Sequence, residues 1–180
     1  KPLLTAGPAK DWREDIFGFT TGSFPRNCYI QHSLRDARYK LISNPRPGTE
    51  NLIADSYLDE SHPHFVISGA TAADQKTISP RTKAAFARWS TPPRYELYDL
   101  QQDPFEWNNL ADDPDYAETM QRLIDALTAL QRQTRDPFLT PENIEAFVKE
   151  QLAHRDMRYR KQKQFRWSYL DTFADWRSAR

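Results

Sequence analysis

A single cysteine, Cys28, stands among the 180 residues. That excludes an internal disulfide framework and any multi-cysteine metal site. Long apolar runs are missing as well: none approaches the roughly 20 residues a helix needs to cross a bilayer. Neither sign of charge prevails, because 25 Lys and Arg balance 25 Asp and Glu. A general nucleic-acid or membrane-surface protein would carry a basic excess, so neither nucleic acid nor membrane is an expected partner. Only five residues are glycine, and no Gly-rich phosphate loop, HExxH helix or GxSxG elbow can be found. The chain opens Lys-Pro-Leu-Leu, without Met or a signal peptide, and reads as an internal or C-terminal piece of something longer.

What is present is aromatic. Hydrophobic residues make up 38% and mean hydropathy is -0.84, but Phe, Trp and Tyr supply 13% of the chain. That aromatic share argues against wholesale disorder. A chain of this length fits one domain, or a large piece of one, and can bury on the order of 70% of its unfolded surface.

Periodicity locates the elements. Residues 1–15 read as a linker, with Trp12 an anchor on a neighbouring surface. Residues 16–25 hold Gly18 and Gly22 beside Thr20, Thr21 and Ser23, and read as an irregular loop. Two runs, 27–34 and 37–43, alternate apolar and polar residues and predict a hairpin turning at Arg35-Asp36. Asn44-Pro-Arg-Pro-Gly48 stops it, since proline cannot donate to a sheet ladder. Ser79-Pro80 starts a short helix over 80–89. The stretch RYELYDL, Arg94 to Leu100, is a strand. Asp113-Pro114 begins an amphipathic helix reaching about Thr134, with Tyr116, Met120, Leu123, Ile124, Leu127 and Leu130 recurring at three and four. Thr140-Pro141 repeats the start signal, and Ile144, Phe147, Val148 and Leu152 form a second apolar stripe.

Several residues could carry chemistry. Cys28 and His32 share a strand face if 27–34 is extended, but about 13 Å of strand separates them, too far for direct pairing. A buried, inert thiol is the simpler reading. His62-Pro-His64 with Asp55 and Asp59 offers metal-ligand types in a loop of unspecific geometry, which fits a solvated polar loop better. Residues 96–125 carry nine acids against Arg122 alone. Their spacing follows turns and a helix start, where Asp caps backbone N–H groups, and they lack the glycine of a calcium-binding EF-hand loop. Residues 153–166 carry six bases against Asp156, with Tyr159, Phe165 and Trp167 interleaved or adjacent. Such a run fits the solvated face of a helix, or a contact with an anionic polymer such as a sulfated glycan.

The run ELYDL-QQ-DP-F-E-WN-NLA-D-DP, within Arg94 to Tyr116, resembles a segment near the C-terminus of the sulfatases. Arg38-Tyr-Lys-Leu-Ile-Ser-Asn44 is similar to that family's R-Y-K-L-I-x-N strand. Pro2-Leu3-Leu4, Gly7 and Trp12-Arg13 resemble the seam that closes the catalytic domain. Thr134-Arg-Asp-Pro-Phe138 resembles a T-x-D-P-[FW] motif of relatives like N-sulfoglucosamine sulfohydrolase. The resemblance covers about residues 1–140.

It implies a fold and a division of labour. The fold is α+β: an antiparallel sheet of about four strands packed by a long amphipathic helix, the C-terminal subdomain of an alkaline-phosphatase-like sulfatase, with a helical C-terminal extension. The implied divisions are 1–15 as a seam from a missing catalytic domain, 16–138 as the sulfatase C-terminal domain, and 139–180 as a helical basic extension. The family's C-or-S-x-P-x-R motif, whose first residue becomes formylglycine, is absent. Ser23-Phe-Pro-Arg26 places Arg three positions on rather than four, and Cys28 has Ile30 where proline is required. The resemblance therefore implies no catalytic or metal-binding residue in this chain and no cofactor of its own. Formylglycine and calcium would belong to the N-terminal catalytic domain, the expected partner. Thr20, Thr21, Ser23 and Arg26 are the candidate substrate-binding residues, facing a sulfate ester or sulfamate of a sulfated carbohydrate. Exposed apolar surface is expected around Trp12, Ile16 and Phe17, where the catalytic domain would sit. A periplasmic, secreted or lysosomal parent is implied. The other reading is a non-catalytic carbohydrate- or partner-binding module on the same scaffold.

Overall fold

The computed structural model describes residues 14–22, 25, 28–52, 54, 71–158 and 161–173. Four strands, β1 (Ile16–Thr20), β2 (Gln31–Arg35), β3 (Tyr39–Ser43) and β4 (Tyr95–Asp99), form one sheet in chain order. Every neighbouring pair is antiparallel. The helices are α1 (Ala72–Thr77), α2 (Pro80–Ser90), α3 (Ala117–Thr134), α4 (Pro141–Ala153) and the single turn α5 (Tyr169–Thr172). The architecture is α+β, as the sequence led us to expect.

β1 corrects the expected loop at 16–25. Gly18 sits mid-strand opposite Ser33, and an added Cβ would come within 2.5 Å of the Ser33 hydroxyl oxygen. That glycine marks a close approach inside a strand and not a loop. The hairpin also turns two residues later than expected, at Ala37-Arg38. Asp36 Oδ1 accepts from the N–H groups of Arg38 at 2.7 Å and Tyr39 at 2.6 Å, so an Asx-type turn, not Arg35-Asp36, sets the register.

One face of the sheet carries Leu34, Leu41 and Leu97, which lie abreast in register. Leu123 and Leu127 of α3 pack onto them, and all five are buried. Asp113 caps the entry to α3 through a one-turn 3-10 segment, accepting from Asp115 N–H at 3.0 Å. Arg135, at φ 54°, ends it in the left-handed conformation. A second core joins Cys28 and Ile30 to Phe138, Ile144, Phe147, Val148 and Phe173. It ties α4 to the chain just before β2. Leu152 departs from the expected stripe and is exposed, while Gln151 is buried.

The outer edge of β4 is closed. Asn109 Oδ1 accepts from Leu97 N–H at 2.9 Å, and Leu110 N–H donates to Leu97 C=O at 2.8 Å. Asn109 Nδ2 reaches Tyr95 C=O at 3.4 Å. Asp99 C=O accepts from Gln102 and Asp103. Four outward backbone groups, on Tyr95, Leu97 and Asp99, are thus met by the following loop, which blunts the edge.

Candidate functional site

The loop nominated by the sequence begins where β1 ends. Thr20 Oγ1 accepts from Gly22 N–H at 3.2 Å, and Thr21 Oγ1 donates to Gly22 C=O at 3.4 Å. Gly22 takes φ 82°, which lets the chain reverse. Tyr29 N–H then returns to Thr21 C=O at 3.1 Å. The structure therefore brings Thr20 and Thr21 together on one tight turn, with Thr20 exposed. Ser23 and Arg26 lie outside the described residues. So do Trp12, Asp55, Asp59, His62 and His64. Ile16 is 59% exposed, as expected of that surface, while Phe17 is half-buried.

Behind this turn, on the sheet face opposite α3, runs a polar seam that the sequence reading missed. Tyr29 O–H donates to Asn44 Oδ1 at 2.8 Å, and Gln31 Nε2 donates to the same oxygen at 3.0 Å. Asn44 Nδ2 donates to Pro93 C=O at 2.9 Å and Glu96 Oε1 at 3.2 Å. Tyr98 O–H donates to Glu96 Oε2 at 2.5 Å, and Arg88 Nε of α2 lies 3.4 Å from that oxygen. Burial raises the pKa of both phenols above the usual tyrosine range, and the Glu96 carboxylate adds to the rise. Both remain donors at neutral pH. The seam is a satisfied buried network, suited to fixing a scaffold.

The segments that carry the family resemblance are each other's partners. Arg38 donates to Asp99 Oδ2 through Nε at 3.0 Å and Nη2 at 2.6 Å. Lys40 Nζ meets both oxygens of Glu106, at 2.8 and 2.7 Å. Asn44 meets Glu96 through the seam. The R-Y-K-L-I-S-N strand thus reads the acids of the ELYDL run by charge and register. Within that run the acids serve turns, as expected: Asp103 Oδ2 accepts from Asn108 N–H at 2.7 Å, and Asp99 Oδ1 from Gln101 N–H at 3.1 Å.

Asp136, from the T-x-D-P-F motif, caps the 3-10 turn Pro137–Leu139 by accepting from Phe138 N–H at 2.9 Å. Its other oxygen accepts from Gln131 Nε2 at 3.0 Å and lies 2.7 Å from His32 Nε2. The histidine contact is short but poorly directed for a hydrogen bond, so it acts as a close polar pairing of buried groups. Burial alone would raise the Asp136 pKa. Its contacts with His32, Gln131 and the Phe138 N–H win, and hold it below the usual aspartate value. A depressed carboxyl stabilises the fold above its unfolded pKa, and that stability is lost as pH falls through the folded value. Thermal melts should therefore drop in midpoint below about pH 4. Asp136→Asn should flatten that drop; an unchanged acid limb would place the sensitivity in other carboxyls.

The remaining candidates resolve locally. Burial pushes the Cys28 thiol up to about 11, only partly offset by Arg46, so it is protonated and inert at neutral pH. Cys28 precedes β2 and joins the second core, while His32 turns to Asp136. The described residues of the basic run lie in turns between α4 and α5 and not along a helix face, with Arg155 facing Asp156 and Arg166 facing Asp171. Among the described residues, no three His, Cys, Asp or Glu side chains converge as a metal site, and no helix is long and apolar enough to cross a membrane.

No protein-family model matches the sequence. Individual proteins do. An ulvan-active sulfatase of Formosa agariphila is 37% identical over 164 residues, taking in 83% of this chain and 29% of that protein. Human N-sulphoglucosamine sulphohydrolase is 46% identical over 52 residues, 28% of this chain and 10% of that protein. A solved structure, of a protein in complex with its substrate D-glucosamine-2-N,6-O-disulfate, aligns at a TM-score of 0.44 and 19% identity, over 76% of this chain and 19% of that one. The chain spans under a third of the length of the curated relatives it matches. By its sequence the chain belongs to the sulfatase family, as a stretch corresponding to part of those relatives.

Proposed function

We propose that this chain is the C-terminal, non-catalytic portion of a sulfatase that hydrolyses sulfate esters or N-sulfate groups of a sulfated carbohydrate. The observation that carries the reading is the 37% identity to the ulvan-active sulfatase across 83% of the chain. In this reading a catalytic domain preceding Lys1 is the partner, and its formylglycine and calcium supply the attack on sulfur and the stabilisation of sulfate oxygens. The chain's own share is support. Its sheet and the Thr20–Arg26 loop wall the cleft, where Thr20, Thr21 and Ser23 would offer hydroxyls and Arg26 a planar fork matched to an oxyanion. The buried seam behind Tyr29 is suited to holding that loop at a fixed height. Ulvan and N-sulphoglucosamine belong to the names of the relatives, and for this protein's parent the substrate is a sulfated carbohydrate as a class.

The test has two parts. The reading frame upstream of Lys1 should contain a C-or-S-x-P-x-R motif. The 180 residues alone should show no turnover of an aryl sulfate, while the longer polypeptide does. Turnover by the isolated chain would end the division of labour, and an upstream sequence lacking the motif would favour a binding module.

A further inference from the structure

A pocket of about 190 Å³ opens where the end of β3, the start of β4, the C-terminal half of α3 and the first turns of α4 meet. Buried His32 and Gln131 supply polar lining beside buried Leu127, Phe138 and Ile144, and Thr128 and Tyr95 lie along it. Arg94 and Glu145 complete the lining. None of these belongs to the Thr20–Arg26 loop or to the polar seam.

The lining selects a ligand chemistry. Arg94 brings one positive charge, while the negative charge of Glu145 is shared with Arg46 Nε at 3.4 Å, so the field is weak and neither a polyanion nor a strongly basic ligand gains much from it. The polar groups are too many for a lipid chain. The volume lies below the roughly 300–1,000 Å³ of sites that hold drug-sized ligands, so one ring is the natural occupant. Arg94 only donates, Glu145 only accepts, and Gln131 and Thr128 do both. Tyr95 adds an aromatic surface, which packs against apolar C–H groups. Hydroxyls that donate and accept around a ring with C–H faces are the features of a sugar. Arg94 is already held in place: it donates to Pro45 C=O at 3.0 Å, and its guanidinium carbon lies 5.4 Å from the Tyr95 ring centre. A pre-set donor of this kind lowers the entropy lost on binding.

We propose that this pocket binds a single pyranose unit of a glycan, neutral or bearing one charge. The pocket stands independently of the sulfatase reading, which guides only the choice of probe sugars. The test is an amide-resolved NMR titration of the 180-residue chain with N-acetylglucosamine, with glucuronic acid and with inorganic sulfate alone. A saturable millimolar response at Thr128, Gln131 and Tyr95 to a sugar but not to sulfate is expected. Thr128→Leu, which fills the pocket, should weaken that binding by at least about tenfold. Glu145→Gln alters an exposed rim group whose loss leaves the core untouched, and should weaken it severalfold without changing the melting temperature. Overturning results are the absence of any saturable response, equal binding of sulfate and sugar, or binding indifferent to both substitutions. If the parent hydrolyses its substrate while this pocket stays empty of sugar, the pocket proposal alone fails. Sugar binding by a chain whose reading frame lacks the nucleophile motif would overturn the sulfatase reading alone.

Discussion

Leu123→Ala should cost the fold about 2–5 kcal/mol, the largest loss expected from any single truncation described here. Leu123 is fully buried and sits where Leu34, Leu41 and Leu97 line up across three strands. Removing its side chain opens a cavity between α3 and the sheet, and the rigid register of the strands limits collapse into it. A domain of this size holds about 5–15 kcal/mol of net stability, so the change takes a large fraction of the total. Urea unfolding followed by far-ultraviolet circular dichroism reads it directly, as a lower midpoint at unchanged slope. A loss under about 1 kcal/mol would mean that α3 does not brace the sheet as described.

Asn44→Ala is the second large effect, on the order of 3 kcal/mol. No apolar cavity explains it. Asn44 is 1% exposed, accepts from Tyr29 and Gln31, and donates to Pro93 and Glu96. Its removal strands the Tyr29 O–H, the Pro93 carbonyl and the Oε1 oxygen of Glu96 together, and unmet buried polar groups cost more than the bonds themselves contribute. Adding Glu96→Gln to the alanine variant should recover part of the loss, because a neutral amide is cheaper to bury than a carboxylate with one oxygen left unmet. A double-mutant cycle measures the coupling, and additive losses would show that Asn44 and Glu96 act independently.

The two substitutions also divide what sequence could and could not disclose. α3 was legible because its apolar residues recur at three and four and because Asp113-Pro114 marks its start. β4 was legible from its composition and its bounding turns. β1 was not, because the signal that separates a loop glycine from a strand glycine is the neighbour it meets, here Ser33 on another strand. The seam through Asn44 joins residues up to 69 positions apart, Tyr29 to Tyr98, and each looks locally like an ordinary strand polar. The same holds for His32 and Asp136, which meet only after α3 has crossed the sheet. For the candidate loop, sequence nominated hydroxyl residues and Arg26, and the structure adds that Thr20 and Thr21 share a turn braced by Tyr29. The resemblance to sulfatases supplied what no periodicity could, since the match rests on particular side chains such as Asn109 and Asp136, whose backbone contacts emerge only in three dimensions.

The loop that answers β4's outward backbone groups has a further effect. With that rim sealed by Asn109, Leu110 and the turn at 101–103, hydrogen-bonded growth of the sheet is one-ended. Copies of this domain cannot stack rim to rim through β4 into a continuous ribbon, even when crowded; among the described residues the opposite rim is β1.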